Sequence, residues 1–87
     1  MQSIRNITRF TYENSDFMGW RVCLMRRGVT FSRYFPDSKY ESPEEGLEYA
    51  KKALEALKET LNKGRVVNGK LSSATIQRAH RLLRTAV

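Results

Sequence analysis

Residues 17–35 read F-M-G-W-R-V-C-L-M-R-R-G-V-T-F-S-R-Y-F, and this stretch decides the fold. Trp20, Val22 and Leu24 alternate with Arg21, Cys23 and Met25, the period of two that a half-buried strand requires. Val29 to Phe35 is β-branched and aromatic almost throughout, which suits a pleated surface. Between the two runs, R-R-G-V supplies Gly28, a residue that takes positive φ without steric cost. The segment therefore predicts two antiparallel strands folded about Gly28. Arg21, Arg26, Arg27 and Arg33 all lie in it, with no acid among them. A solvated strand face usually mixes both signs of charge, so one face of this hairpin reads as built to meet an anion.

Working outward, Ile4 to Tyr12 (I-R-N-I-T-R-F-T-Y) predicts a first strand, with Phe10 turned to the core and Arg9 outward. Residues 1–3 read as loose, and Glu13 to Phe17 as polar turn chemistry. After the hairpin, Pro36 and the segment D-S-K-Y-E-S interrupt regular structure. Ser42 then caps a helix that Pro43 opens, with Glu44 and Glu45 at its positive end. Leu47, Ala50, Leu54, Leu57 and Leu61 form one apolar stripe over Pro43 to Asn62, with Lys63 and Gly64 closing the helix. Residues 64–72 read as a linker with a short strand at Val66–Val67. Ser73 to Ala86 predicts a second, basic amphipathic helix, with Ile76, Ala79, Leu82, Leu83 and Ala86 on its apolar side. Arg78, Arg81 and Arg84 recur every three residues on a neighbouring face.

The expected fold is α+β: a three-stranded antiparallel sheet packed on one long helix, plus a C-terminal basic helix. Residues 1–63 form the sheet-and-helix unit, and 64–87 the linker and basic helix.

Eighty-seven residues suffice for one small domain. The net charge of +7 is segregated along the chain. In residues 1–36, six arginines against Glu13 and Asp16 leave +4, and in 37–59 four lysines against seven acids leave −3. Residues 60–87 carry six cations and no acid. Such segregation is the electrostatic footprint expected of a nucleic-acid binder. A single cysteine excludes an internal disulfide and a four-cysteine zinc site. No apolar run approaches the ~20 residues of a membrane span, and M-Q-S-I-R-N lacks a signal-peptide core. The expectation is a cytoplasmic, nucleoid-associated protein with no membrane contact.

The chemistry of catalysis is not visible. Metal nucleases need clustered His, Asp or Glu, whereas the acids here lie mainly on one helix among lysines. Cys23 has no neighbouring base, and His80 sits among arginines. Asp37 reads as a turn or cap residue. The chain is read as a non-enzyme that takes neither metal nor cofactor. Trp20, alternating with Val22 and Leu24, reads as core rather than as a base-stacking platform. Tyr34 is read as either a nucleic-acid contact or a filler of the sheet face.

The order Ile7-x-Arg9, Gly19-Trp20-x-Val22, a basic turn with Gly28, then Phe35-x-Asp37 and Tyr40 before a Leu/Ala helix resembles a known pattern. Over residues 4–62 the chain is similar to the prokaryotic and phage branch of the Apetala-type domain, the fold of plant ethylene-response factors, and to the arm-binding domains of tyrosine integrases. Glu41–Ser42 stand where the bacterial branch usually has Gly-Gly. The resemblance implies that the sheet enters the major groove of double-stranded DNA while the helix packs behind it. It places Trp20, Val22, Leu24 and Phe35 against the helix. Arg9, Arg21, Cys23, Met25, Arg27 and either Ser32 or Arg33 would face the groove, with Arg26 and Tyr34 completing the DNA-binding set. Arg78, Arg81 and Arg84 are assigned secondary phosphate contacts. A two- or three-stranded ribbon fits the ~12 Å major groove, and arginine suits bidentate contacts with guanine or phosphate. The expected role is an accessory or regulatory factor in transcription or recombination, alone or within a larger complex. The alternative is a protein-interaction module that docks its basic sheet on an acidic partner.

Overall fold

The computed structural model describes residues 3–13 and 17–85. The central hairpin pairs β3 (Gly19–Arg26) with β4 (Val29–Pro36), antiparallel over their full lengths. Arg27 and Gly28 turn between them with φ of 50° and 81°, so both central residues take the positive φ that a tight two-residue hairpin demands. β2 (Ile7–Phe10) pairs with the other edge of β3, giving the three-stranded antiparallel centre of a sheet that a short fourth strand extends.

The first strand is shorter than its composition suggests. Arg5 and Asn6 turn the chain, with Asn6 at φ 69°, a conformation asparagine tolerates better than most residues. Asn6 is fixed there by Cys23: its carbonyl accepts from Cys23 N at 2.9 Å, and its Nδ2 donates to Cys23 O at 3.0 Å. Ser3, read as loose, instead pairs with Thr8 in a two-residue β1 (Ser3–Ile4) at the sheet edge. Of the turn expected at residues 13–17, positions 14–16 lie outside the described residues, as do Met1, Gln2 and Ala86.

α1 (Pro43–Lys63) begins where the sequence predicts, with Ser42 Oγ accepting from Glu45 N at 3.1 Å. Ser42→Ala should therefore cost about 1 kcal/mol in a chemical denaturation curve; an unchanged midpoint would show that the cap contributes nothing. The stripe Ala50, Leu54, Leu57 and Leu61 is buried, and Gly46 and Ala53 join it. Gly46 packs under two rings: a Cβ there would be tight against Tyr40 Cδ2, at 3.2 Å, and in ordinary contact with the Trp20 indole, at 3.4 Å. Trp20 Nε1 donates to the Pro43 carbonyl at 2.9 Å, which satisfies a buried donor and ties the start of α1 to β3. Ile7, Trp20, Val22 and Phe35 thus meet Ala50, Ala53 and Leu54 in one half of the core. Trp20, Val22, Leu24 and Phe35 all face the helical layer, as expected.

Residues 64–85 are more than a linker and tail. Val66–Val67 (β5) pair with Lys70–Leu71 (β6) about Asn68 and Gly69, whose φ values are 52° and 76°. This second tight hairpin leads into α2 (Ser73–Thr85), which packs on α1 and β4. Leu71, Ala79 and Leu83 bury with Leu24, Phe31, Leu57 and Leu61 as the other half of the core. Gly64 permits the approach: a Cβ there would fall 2.2 Å from Thr75 Cγ2. Its φ of −71° shows that close packing, not backbone freedom, requires glycine at this position.

Candidate nucleic-acid interface

Helices cover one face of the sheet, and the register fixes which side chains reach the other. Directly paired residues share a face. Ile7, Arg9, Trp20, Val22, Leu24, Arg26, Val29, Phe31, Arg33 and Phe35 therefore share the helical side. The open side carries Thr8 and Phe10 from β2, Arg21, Cys23 and Met25 from β3, and Thr30, Ser32 and Tyr34 from β4.

This register corrects the expectation for the first strand. Arg9 points to the helical side and Phe10 to the open side. Arg9 is held by Asp37 in a bidentate pair, Nη1–Oδ1 and Nη2–Oδ2 both at 2.8 Å, and its guanidinium lies 4.9 Å from the Trp20 ring centre. The hydrogen bonding of Arg9 to the Asp37 carboxylate pushes the Arg9 pKa further above its ordinary value, against a smaller opposing effect of burial. Arg9 is thus a structural cation, and Asp37 is its partner rather than a simple turn residue.

Arg33 is also misplaced by the sequence reading. It lies opposite Val22 on the helical side, and its Nη1 donates to the carbonyls of Leu83 and, at 2.8 Å, Arg84. A cation there satisfies orphan carbonyls at the negative end of α2. Ser32, not Arg33, is the β4 residue of the open face. Arg26 and Arg27 are at the hairpin tip: Arg26 Nη1 donates to Asn62 Oδ1 at 2.9 Å, and Arg27 Nη1 to Gly69 O at 3.2 Å. Among the strand residues described, Arg21 is the one arginine on the open face.

Arg21 sits at the centre of that face. Thr8 is its cross-strand neighbour on β2 and Tyr34 on β4. Its guanidinium lies 5.4 Å from the Phe10 ring centre, a cation–π contact that restrains a long side chain. Its Nε is buried without a hydrogen-bond partner among the described residues. Phe10, Phe17 and Tyr34 form an aromatic cluster beside it, with Phe17 and Tyr34 edge to face at 5.1 Å. Tyr34 is 50% exposed and Met25 67%, while Cys23 is half-buried. The face combines one fixed guanidinium, three hydroxyl side chains of Thr8, Thr30 and Ser32, and apolar surface.

Thr8, Phe10, Phe17 and Thr30 were not legible as members of this face. For Thr8 and Phe10 the reason is Arg9, whose charge is neutralised inside the protein and so disguises the inward register of β2.

The α2 arginines divide. Arg84 borders a cleft with Ser32, Arg33, His80 and Leu83 at the β4 edge, where it adjoins the open face. Arg78 instead adjoins Ala56, Glu59, Thr60 and Lys63 on the α1 side. Arg81 is exposed on α2. Among the described residues there is no group of three or more His, Cys, Asp or Glu able to hold a metal ion, and no helix is long and apolar enough to cross a membrane. No family model, curated protein or solved structure matches the chain.

Proposed function

We propose that the chain binds double-stranded DNA by laying the open face of β2, β3 and β4 in the major groove. In this reading it is a non-enzymatic accessory or regulatory factor in transcription or recombination, cytoplasmic and associated with the nucleoid. The observation that carries the reading is Arg21: an arginine restrained by Phe10, central on the sheet face opposite the helices, with hydroxyl side chains around it. Three strands spaced ~4.8 Å apart make a ribbon about 10 Å across, which enters a groove ~12 Å wide. A restrained guanidinium presents a planar fork to guanine O6 and N7 with little further loss of side-chain freedom. Thr8, Thr30 and Ser32 supply adaptable hydrogen bonds, and Cys23 and Met25 supply apolar contact of the kind a thymine methyl accepts. The Apetala-type resemblance supports the same use of the sheet. Docking on an acidic protein calls for several cations, and this face has Arg21 as its strand arginine.

Arg9 and Arg33 leave the reading set because their donors are engaged within the protein. Phosphate contacts then fall to exposed flanking arginines, namely Arg5 in the β1–β2 turn, Arg27 at the hairpin tip and Arg84 at the β4 edge. Three such contacts give a log–log salt slope of roughly −2.7 or steeper. Arg21→Ala should weaken the preferred duplex by about 1–3 kcal/mol and relax discrimination at one or two base pairs. Arg9→Lys, should it remain folded, should leave discrimination intact. The test selects a preferred duplex from a random pool and measures wild type and variants on it and on a scrambled duplex. Absence of duplex binding at low salt, or an Arg21→Ala variant that discriminates like wild type, removes the proposal.

A further inference from the structure

The open face uses little of the charge in residues 60–87, and the structure brings part of that charge to one end of the sheet. The β3–β4 turn, Arg27–Gly28, is linked to the β5–β6 turn, Asn68–Gly69, by Arg27, whose Nη1 donates to the Gly69 carbonyl at 3.2 Å. Arg65 and Lys70 flank the second turn and are exposed. Val66 and Val67 are exposed too, at 43% and 50%. Paired two-residue strands are too short to persist alone, but here they are anchored by buried Leu71 and by Ser72 N donating to Arg65 O at 3.0 Å. The cations are thereby held at defined places.

Acids do not offset them. Glu59, the nearest acid along α1, is occupied by Lys63 at 2.7 Å. Asp37, Glu41, Glu44, Glu45 and Glu48 gather around the other end of α1, which the bond from Trp20 to Pro43 fixes near the start of β3. The molecule is electrically polarised along the strand direction, positive at the paired turns. An eight-residue strand spans about 26 Å, more than twice the ~12 Å width of the major groove. A ribbon lying obliquely in that groove carries its ends over the phosphate walls.

We infer that the two turns form a phosphate clamp, with Arg27, Arg65 and Lys70 as its cations, on the duplex that the sheet reads. This rests on the DNA reading above and adds a second element that contributes affinity without sequence preference. Two neutralised contacts account for about 1.8 of the salt slope and, at 0.1 M salt, up to roughly 60-fold in affinity.

The experiment titrates wild type, Arg65→Gln/Lys70→Gln and Lys70→Glu into labelled preferred and scrambled duplexes at two salt concentrations, with circular dichroism confirming the fold. Lys51→Gln/Lys52→Gln, on exposed positions of α1, is the charge-matched control. The clamp variant should lose about 10–60-fold on both duplexes alike, with a slope shallower by roughly 1.8, while the control changes little. Lys70→Glu should lose more than neutralising Lys70 alone. A folded clamp variant with wild-type affinity and slope overturns the clamp and leaves the sheet reading standing. So does an equal loss in the control, or a selective loss on the preferred duplex. Wild type that binds anionic vesicles or polyglutamate as tightly as duplex overturns the clamp as a DNA contact. Wild type that binds no duplex removes both readings.

Discussion

Phe31→Ala is expected to lower stability by about 3–5 kcal/mol. A chain of this length has a total stability of roughly 4–13 kcal/mol, so the loss is a large share of it. Phe31 has no exposed surface and sits opposite Leu24 in the sheet. Leu57 and Leu61 of α1 and Ala79 and Leu83 of α2 belong to the same buried cluster, and the His80 ring lies 4.9 Å away from it, centre to centre. Truncation would leave a cavity between three elements that are each tied elsewhere: α1 by Trp20, β4 by its ladder, and α2 by Arg33 and the Gly64–Thr75 approach. Collapse into the void is therefore limited, which puts the cost in the upper part of the range for core truncations. Urea denaturation of wild type and variant measures it. A loss below 1 kcal/mol would mean that α2 leaves Phe31 accessible, and residues 64–85 would then be the detachable tail that their linker-like composition suggests.

The contrast between the two ends of the chain shows which features sequence carries. The central hairpin, the capped helix and its Leu/Ala stripe were legible because each rests on local rules: a period of two, a turn glycine, a serine before proline, spacings of three and four. The β5–β6 hairpin was half legible. Val66–Val67 read as a strand, but a partner of two residues is too short to show a period, and the Asn68–Gly69 turn was the stronger signal. The packing of α2 was not legible, because it depends on Leu24 and Phe31 of the sheet and Leu57 and Leu61 of α1 together presenting one apolar surface, a fact of tertiary geometry.

Arginine misled the reading of the site for a different reason. Six arginines in residues 1–36 suggest a charged surface, yet Arg9 is held by a carboxylate and Arg33 by two carbonyls of α2, while Arg26 and Arg27 each place one donor on an internal acceptor and remain at the hairpin tip. A long stem with five donors can reach across layers and satisfy acceptors that no neighbour in sequence provides. Composition counts all of these cations as available, whereas the fold commits Arg9 and Arg33 to its own joints. Arg21 differs because its neighbours on the open face are an aromatic ring and hydroxyl groups. The useful sequence signal was its position between Trp20 and Val22, two residues that must face the helix.

Gly19→Ala should cost about 2–3 kcal/mol and disturb the open face as well, because Gly19 is where the two are joined. A Cβ at this position would lie 2.4 Å from the Phe35 carbonyl oxygen and 2.8 Å from Pro36 Cα, and both are backbone atoms of the paired strand. Side-chain rotation cannot relieve such contacts, so β3 and β4 must separate at their ends, an overpacking effect of the size expected when backbone has to move. The same Cβ would lie 2.7 Å from Phe17 Cζ. Phe17 packs on Phe10 at 6.1 Å and on Tyr34 at 5.1 Å, and Phe10 is the ring that restrains Arg21. Displacing Phe17 therefore loosens the support of the proposed reading residue. The variant should unfold at lower urea and, where folded, discriminate less between preferred and scrambled duplexes. Phe17→Ala introduced beside it separates the causes, since it removes the ring contact and leaves the carbonyl contact. Stability should stay low in the double variant; full recovery would show that the strand backbone accommodates a methyl group at Gly19 and that the ring alone requires glycine there.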